Sequence, residues 1–494
     1  MDWGVICSFV GYFVVVLLIG LYFYKKSSTL SDYMLGGRGL NPWVAALSAQ
    51  ASDMSGWLLM GLPGALYLSG MSEVWIGIGL AVGAYVSWLV IAKPLRQYSF
   101  VAGDSITIPG FFENRFRDRS GILRLVSSIV ILVFFVFYVV SGFVSGGTVF
   151  QAVFPGMDYT AGMLICAVVI IVYTFMGGFK AVAWTDFFQG MLMLVAIYLV
   201  PMAALGRIGS GDEIMRVTDS IGPGFLNPFQ TVDGSPVPAN VVISNLAWGL
   251  GYLGMPHVII RYMAVKEPRL IKASRRIATG WIALALAGAV MVGIFGRVYY
   301  DGMFDTAAGA QTIFLVMSKN FFPPVIAGIL LSAILAAVMS TADSQLLVAS
   351  SAITADLYGR FAKKQPSEQK LMWIGRIGVI VIAIIAAILA LDPETSIMSV
   401  VSFAWAGFGS SFGPVVLLAL FWKRSTKWGA LAGMLTGFVL SILWNQLWAE
   451  PTGLYELVPG FIAGLLAMVI GSLCSKEPEA EIQREFDRAK RDTA

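Results

Sequence analysis

Long stretches without a charged side chain are the feature that most constrains the fold of this chain. A membrane-spanning helix needs about 20 consecutive, mostly apolar residues. Eleven such stretches contain no Asp, Glu, Lys or Arg, and they occupy residues 3–24, 74–92, 125–157, 159–179, 187–206, 234–260, 277–296, 320–342, 395–422, 428–449 and 457–475. Two further predicted spans tolerate a charge in the apolar run, at 43–69 with Asp53 and at about 370–391, which begins at Lys370 and has Arg376 near the same end. We therefore predict an all-α polytopic membrane protein with about 13 transmembrane helices.

The composition excludes most other classes of protein. Charged residues make up 13% of the 494 residues and hydrophobic residues 57%, whereas a soluble protein carries about 25% charged residues. So few charges cannot coat the surface of a soluble enzyme or a DNA-binding protein of this size. The apolar runs are continuous, which excludes the alternating pattern of a β-barrel. Three scattered cysteines and a single histidine predict neither disulfides nor a metal centre, and no cofactor is expected.

The positions of the basic residues predict how the chain is oriented. When Lys25 and Lys26 are placed in the cytoplasm and the sides alternate, all but four of the 33 basic residues fall in cytoplasmic segments. The four exceptions are Arg207, Arg216, Arg297 and Lys319. The prediction is a multi-pass protein of the cell (inner) membrane with its N-terminus outside and its C-terminus in the cytoplasm. Segment 3–24 has no basic residue before it, so it is expected to be a retained helix and not a signal peptide.

The span 43–69 carries an acidic side chain in its middle. Asp53 lies in the sequence SAQASDMSGWLLMGLPG, which is rich in Ser, Gly and Pro and is a poor helix sequence. The pattern predicts a helix that is interrupted near the middle of the bilayer, where free backbone carbonyls can hold a cation. A kink that Asp53 merely caps is the alternative. We favour the functional interpretation because the break and the buried charge coincide.

Hydroxyl groups line one face of the span 320–342 and its continuation. Ala337, Ser340 and Thr341 are spaced by three and four residues and therefore share one helical face. Two hydroxyls and a carbonyl suit a small, hard cation, although packing is the better interpretation of the spacing alone. Asp343 follows on the same helix. Asp186, near the start of the span 187–206, is interpreted primarily as a helix cap or a structural residue.

Aromatic residues and a proline recur in the sequence LAWGLGYLGMPHVIIR. Trp248, Tyr252 and Pro256 are four residues apart and lie on one helical face, with glycines between them. The glycines allow close backbone approach or a second break. A packing stripe is the alternative, but the proline in a glycine-rich stretch at mid-membrane favours a substrate cavity. His257 is expected to be structural.

Several motifs together are recognisable. They are LGGRGL, ASDMSGWLLMGLPGALYLSG, WGLGYLGMPH, GILLSAILAAVMSTADSQLLVASSAI, SFAWAGFGSSFGPVVL and LYELVPGF. They resemble the sodium/solute symporter family, and among its members those that carry proline. The resemblance runs from about residue 28 to about residue 470.

The resemblance implies a leucine-transporter-like fold with two inverted five-helix repeats within one transporter domain, 1–494. The repeats would comprise 43–206 and 234–422, and the two breaks would fall in the first helix of each. The remaining parts would be the N-terminal helix 3–24, two C-terminal helices within 428–475 and a cytoplasmic tail at 476–494.

The resemblance also implies the functional residues. One Na⁺ would be held by Ala51, Met54, Ala337, Ser340 and Thr341. Asp53 would be needed for sodium affinity, and Arg38 for coupling or gating. Proline would be bound by Ser55, Gly56, Trp57, Tyr138, Trp248, Tyr252 and Pro256. Some relatives hold a second cation, for which Asp186, Ser340, Asp343 and Ser344 are the candidates here, although an acid stands at 343 where those relatives have a hydroxyl.

The predicted function is sodium-driven uptake of L-proline by alternating access, so the protein is a transporter and not an enzyme. No G-x-x-x-x-G-K-[ST] motif occurs, which argues against ATP-driven pumping. Na⁺, L-proline and the lipid bilayer are the expected partners, nucleic acid is not, and the sequence leaves the oligomeric state open. The alternatives are symport of another amino acid, a vitamin or a sugar, a transporter-like sensor, and a channel.

Overall fold

The computed structural model describes residues 3–24, 29–154, 156–362, 364 and 366–491. Within these residues the chain is helical, and no strand longer than an isolated bridge occurs. The helices are α1 (Trp3–Tyr24), α2 (Leu30–Leu35), α3 (Pro42–Gly56), α4 (Leu62–Ser69), α5 (Val74–Val86), α6 (Ala92–Val101), α7 (Ile108–Arg115), α8 (Ile122–Val153), α9 (Tyr159–Ile208), α10 (Gly211–Ile221), α11 (Ala239–Ala247), α12 (Pro256–Ala264), α13 (Ile271–Tyr299), α14 (Ala307–Ala310), α15 (Ile313–Phe321), α16 (Pro324–Ser351), α17 (Gly359–Phe361), α18 (Glu368–Leu389), α19 (Ile397–Phe421), α20 (Lys427–Leu447), α21 (Ala449–Thr452), α22 (Leu457–Leu473) and α23 (Ala480–Arg491).

The predicted class of polytopic membrane protein is confirmed. Nine helical stretches of the described chain are long and apolar enough to cross a membrane, and two shorter apolar helices accompany them. One of the nine, Pro42–Val101, contains α3 to α6 in a single interrupted run. The count of thirteen stays a prediction. Lys25 and Lys26, from which the predicted orientation starts, lie outside the described residues.

Lipid-facing and protein-facing helices differ clearly. Helices α1 and α18 leave Leu18 and Ile388 about 60% exposed or more, as expected where acyl chains replace water. Helix α16 has almost every residue from Ala327 onward buried, and it packs against α1, α3, α8 and α9. Hydroxyls placed on α16 therefore lie at the centre of the molecule.

Two of the predicted spans, 43–69 and 234–260, are interrupted, as the sequence predicts. Helix α3 starts with an Asn41 cap and a proline, and its backbone breaks at Ser55, where φ is 41° and ψ is −164°. A wide π-helical turn, Trp57–Gly61, then leads into α4. Between α11 and α12 the chain forms the tight 3₁₀ segment Trp248–Leu253, and Pro256 then begins α12.

The helix α9 also changes direction, at Gly178, where φ is 66° and ψ is 174°. Asp186 lies well inside the helical part that follows this kink. Of the two alternatives for Asp186, a helix cap is therefore wrong, because the new helical direction begins two turns earlier, at a glycine that adopts the left-handed φ without strain. A structural role stays a prediction.

Helix α19 is packed against α20 and α22 with almost no space between their backbones. A Cβ atom added to Gly437 would lie 2.1 Å from the Ser410 carbonyl oxygen, and one added to Gly460 would lie 2.4 Å from the Ser410 hydroxyl oxygen. A Cβ at Gly464 would lie 2.9 Å from the same carbonyl. Such small-residue contacts let membrane helices approach closely and gain dispersion energy.

Candidate functional site

The break in α3 lies directly against the hydroxyl face of α16. The Ser340 hydroxyl donates to the Ala51 carbonyl oxygen at 2.9 Å and also reaches the Ala337 carbonyl at 3.1 Å. The Thr341 hydroxyl donates to the Ala337 carbonyl at 3.0 Å, and it accepts from the Ser55 N–H at 2.9 Å. The structure thus brings four of the five predicted sodium ligands and the broken backbone into one hydrogen-bonded group. Their assignment to sodium stays a prediction.

The fifth predicted ligand, Met54, lies in the same turn. Its carbonyl accepts the N–H of Trp57, and its side chain is buried. A carbonyl oxygen has two lone pairs, so this bond leaves one for a cation. The arrangement offers three carbonyls and two hydroxyls, which are all hard, uncharged ligands.

Asp53 contacts two tyrosines, one through its side chain and one through its backbone carbonyl. Its carboxylate accepts a short hydrogen bond from the Tyr252 hydroxyl, and its carbonyl accepts from the Tyr138 hydroxyl at 3.2 Å. Asp53 is 1% exposed, and its Oδ1 atom has no hydrogen-bond partner among the described residues. Asp53 therefore connects the break in α3 to two of the residues predicted to bind substrate.

Three aromatic residues predicted to bind substrate, Trp57, Trp248 and Tyr252, lie together with two further rings, Trp405 and Tyr455. We call these five residues the aromatic wall. The Trp248 ring lies 6.2 Å from the Trp57 ring and stacks on Tyr455 at 5.5 Å. The Trp405 indole N–H donates to the Trp248 carbonyl at 2.7 Å, and the Trp405 ring meets the Tyr252 ring edge to face at 5.1 Å. Trp405 and Tyr455 were not among the predicted site residues. Their only signal was their presence in the recognisable motifs SFAWAGF and LYELVPGF.

The glycines of this region allow the close contacts. A Cβ atom on Gly251 would lie 2.0 Å from the Trp405 indole nitrogen, and one on Gly56 would lie 2.2 Å from the Ser145 hydroxyl oxygen. Both backbones therefore lie against a neighbouring side chain where no other residue type fits. Pro256 begins α12 immediately after this crowded turn.

A cavity of about 460 Å³ leads from one end of the molecule to the aromatic wall. It is lined by Trp248 and Tyr455 together with small and polar residues such as Gly61, Gly64, Gln311 and Ser402. The cavity thus reaches one of the predicted substrate residues, Trp248, from the end where α4 stops and α5 begins.

The opposite end is closed around Arg38. Its guanidinium donates to Asp104 at 2.8 Å, to the Met263 carbonyl at 2.8 Å and to the Ser105 carbonyl at 2.9 Å. Burial lowers the pKa of Arg38, and the neighbouring Asp104 carboxylate raises it again. The chain just after Arg38 pairs with the end of α12, since the Leu40 N–H donates to the Ala264 carbonyl at 3.1 Å. These bonds close the path on this side.

Two of the candidate residues for a second cation, Asp186 and Ser344, bond a buried arginine, whereas the candidate Ser340 bonds the Ala51 and Ala337 carbonyls. Arg261 is 1% exposed and donates to Asp186 at 3.0 Å, to the Ser48 hydroxyl at 2.7 Å and to the Ser344 hydroxyl at 2.5 Å. Ser344 in turn donates to Asp343 at 3.2 Å. Sequence reasoning counted Arg261 among the basic residues of a cytoplasmic segment, because it directly precedes a polar loop.

The comparison with known proteins identifies the family. The profile of the Sodium:solute symporter family matches residues 33–437. The chain belongs to this family. It is therefore a multi-pass membrane transporter and not an enzyme, and the family's coupling ion is Na⁺.

Relatives of this symporter match it over almost their whole length. The high-affinity proline transporter PutP of Bacillus subtilis (strain 168) is 49% identical over 472 residues, which are 96% of this chain and 98% of that protein. The osmoregulated proline transporter OpuE of the same organism is 46% identical over 98% of both chains. A sodium/proline symporter of Salmonella typhimurium is also 46% identical, over 98% of this chain and 95% of that protein.

Solved structures show the fold of the symporter. A substrate-bound, outward-open Na⁺-coupled sialic acid symporter has a TM-score of 0.78 at 22% identity and covers 96% of this chain and 99% of that one. The nucleobase-cation-symport-1 family transporter Mhp1 has a TM-score of 0.59 at 14% identity, with 94% and 99% covered. The predicted leucine-transporter-like fold is confirmed by these neighbours.

Proposed function

We propose that this symporter couples the entry of Na⁺ to the uptake of L-proline across the cell membrane. The observation that carries the proposal is the contact between the Ser340 and Thr341 hydroxyls and the broken backbone of α3. Its support for proline in particular comes from the relatives named as proline transporters, which are 46–49% identical along almost the full chain.

One Na⁺ binds between α3 and α16 in this proposal. Its ligands are the carbonyls of Ala51, Met54 and Ala337 and the hydroxyls of Ser340 and Thr341. In the structure the two hydroxyls bond the Ala51 and Ala337 carbonyls, and an ion replaces these bonds. Unwound backbone facing a second helix is the usual way in which transporters of inverted-repeat design hold a cation.

Proline binds on the other side of the α3 break. The carboxylate faces the helix turn at Ser55 and Gly56, where N–H groups and the helix dipole favour an anion. The ring and the secondary ammonium face the aromatic side chains, which offer an apolar surface and attraction for a cation. These side chains are Trp57, Tyr138, Trp248 and Tyr252, with Pro256 behind them.

Asp53 links the two sites. It lies in the chain between Ala51 and the break at Ser55. Its carboxylate bonds Tyr252, and its carbonyl bonds Tyr138. When Na⁺ draws the Ala51 and Met54 carbonyls into its coordination shell, the position of Asp53 changes with them. The tyrosines follow, so ion binding prepares the solute site.

The predicted orientation gives the two ends of the path their sides. With the N-terminus outside, the cavity lined by Trp248 opens to the exterior, and the hydrogen bonds of Arg38 close the cytoplasmic exit. The structure then corresponds to an outward-facing state. Alternating access is performed by the repeats 43–206 and 234–422, and the Arg38 bonds to Asp104, Ser105 and Met263 are those that break when the transporter opens inward.

The sodium gradient is sufficient for this task. One charge that crosses 100 mV supplies about 2.3 kcal/mol, and a roughly tenfold gradient adds about 1.4 kcal/mol. Together they support accumulation of a neutral zwitterion by roughly several hundredfold.

Flux into proteoliposomes tests the proposal. The purified protein should accumulate labelled L-proline when Na⁺ is high outside, and not when choline replaces Na⁺. A panel of unlabelled amino acids, vitamins and sugars should show that only proline and close analogues compete. Uptake that is independent of Na⁺, or stronger competition by another solute, would contradict the proposal.

A further inference from the structure

The Arg261 cluster is a buried charge system that proline and Na⁺ binding, as proposed above, do not use. Four helices meet in it: Ser48 comes from α3, Asp186 from α9, Arg261 from α12 and Ser344 from α16. None of these four side chains is more than 1% exposed. A buried charge of this kind is costly unless it is paired, so the cluster has a specific role.

The guanidinium is bonded to the oxygen types that a small cation prefers. Arg261 Nε donates to the Ser48 hydroxyl at 2.7 Å, and Nη2 is shared between Asp186 at 3.0 Å and the Ser344 hydroxyl at 2.5 Å. Ser48 also donates to the same carboxylate oxygen at 2.7 Å. Two hydroxyls and a carboxylate converge on one positive group, as they would on a hard metal ion.

The cluster contains more acidic than basic side chains. The Ser344 hydroxyl donates to the Asp343 carboxylate at 3.2 Å, so a second carboxyl group adjoins the cluster. Asp186 Oδ1 and Asp343 Oδ2 are both buried and have no hydrogen-bond partner among the described residues. With Arg261 present the cluster holds one positive group for two acids. Without it, two acids would be left with no positive group in the cluster, and each would keep one buried oxygen that has no hydrogen-bond partner among the described residues.

We propose that Arg261 is a built-in cation that occupies the position of a second coupling ion, and that its removal creates a second Na⁺ site. The ligands of that site would be Ser48, Asp186 and Ser344, with Asp343 behind them. Three of the four residues predicted for a second cation, Asp186, Asp343 and Ser344, are thus present, but a side chain of the protein takes the place of the ion. The fourth, Ser340, bonds the Ala51 and Ala337 carbonyls instead. The stoichiometry of one Na⁺ per proline follows from this substitution, so the inference rests on the proposed function.

The balance of two opposing gradients measures the stoichiometry directly. The proteoliposomes are held at zero membrane potential with a roughly tenfold Na⁺ gradient. If one Na⁺ accompanies each proline, this gradient balances a roughly tenfold opposing proline gradient. If two Na⁺ accompany each proline, it balances a roughly hundredfold opposing proline gradient. The wild-type protein should show the first value. Arg261→Ala should show the second, and its uptake should depend on Na⁺ concentration with a Hill coefficient near two.

Three further variants separate charge from structure. Arg261→Lys keeps the positive charge and should keep one Na⁺. The double variant Arg261→Ala/Asp186→Asn removes a ligand of the new site and should return to one Na⁺. Arg96→Ala is the matched control, because Arg96 is a buried arginine that anchors the end of α12 through the carbonyls of Val265 and Lys266. It should leave the stoichiometry unchanged.

Thermal unfolding in detergent supplies a readout that does not need transport. Arg261→Ala should be less stable than the wild-type protein in choline and should regain stability steeply with Na⁺. A variant that stays unfolded at high Na⁺, or one that balances at one Na⁺ per proline, would overturn the inference. A wild-type protein without Na⁺-dependent proline flux would instead overturn the proposed function, so the two failures are distinguishable.

Discussion

Ser340 and Thr341 have hydroxyls that bond the broken backbone of α3, at Ala51 and Ser55. We expect the double variant Ser340→Ala/Thr341→Ala to fold and to lose sodium affinity by at least roughly tenfold, since a hydrogen bond or contact to a charged group contributes about 1.5–3 kcal/mol. The measurement is the Na⁺ concentration that gives half-maximal proline uptake. Ser332→Ala is the matched control, because the Ser332 hydroxyl of the same helix bonds only the Gly328 carbonyl. Equal sodium dependence in both variants would place the ion elsewhere.

Tyr252 and Trp248 belong to the same wall but contact different groups, so their substitutions should have different effects. Trp248→Ala removes an aromatic surface and should raise the proline half-saturation value roughly 5–30-fold, with sodium affinity unchanged at saturating proline. Tyr252→Phe removes the hydroxyl that bonds Asp53 and should weaken both affinities. Tyr262→Phe, whose hydroxyl contacts Ser87 at 3.1 Å, is the control. A Tyr252→Phe variant with normal sodium affinity would show that the bond between Tyr252 and Asp53 does not affect the ion site.

At the level of helices, the break in α3 depends on a glycine as much as on Ser55. Gly56→Ala would place a Cβ atom 2.2 Å from the Ser145 hydroxyl oxygen and 2.8 Å from the Ser145 Cβ. Such overpacking costs about 1–3 kcal/mol and should push α3 away from α8, with a large loss of uptake. Ser145→Gly in the same chain removes both clashing atoms and should restore part of the activity. Gly280→Ala, with no atom near its added Cβ, should behave as wild type. Absence of rescue would mean that Gly56 is needed for its backbone alone.

The interrupted helices were predictable, and the Arg261 cluster was not. Ser, Gly and Pro around Asp53 and between Trp248 and Pro256 weaken a helix locally, so the sequence itself indicates both breaks. Arg261 stands in PHVIIRYMAVK, which looks like the end of a span before a basic loop. Its partners Asp186 and Ser344 are 75 and 83 residues away. Pairing over such distances is decided by how the helices pack, and no local pattern reports it.

The same reason explains why the aromatic wall was only partly predicted. Trp248 and Tyr252 are one turn apart, and their shared face is visible in the sequence. Trp405 and Tyr455 join them from α19 and from the turn before α22, far along the chain. The packing of α19 on the 3₁₀ segment brings these rings together.

For the whole molecule, the orientation in the membrane is the property that a native cysteine can test. Cys474 is exposed at the end of α22, Cys166 is buried in α9, and Cys7 lies on α1 within a predicted span. With the C-terminus in the cytoplasm, a membrane-impermeant maleimide should label Cys474 in inside-out vesicles and not in intact cells. Cys474→Ser should abolish this labelling. Labelling of Cys474 in intact cells would show that the orientation is opposite to the predicted one and that the cavity lined by Trp248 opens to the cytoplasm.

The close packing of α19 against α20 and α22 has a consequence for solute range. Three glycines lie against Ser410, so α19 cannot shift relative to its two neighbours without unpacking all three helices. Trp405 is therefore a fixed boundary of the proposed solute site. Trp57 lies on the wide turn that follows α3, next to the strained backbone of Ser55, and is an adjustable boundary. Laboratory selection for uptake of a bulkier amino acid should accordingly recover substitutions at Trp57 before any at Trp405. Enlarging the site costs the least folding free energy where the backbone already departs from a regular helix.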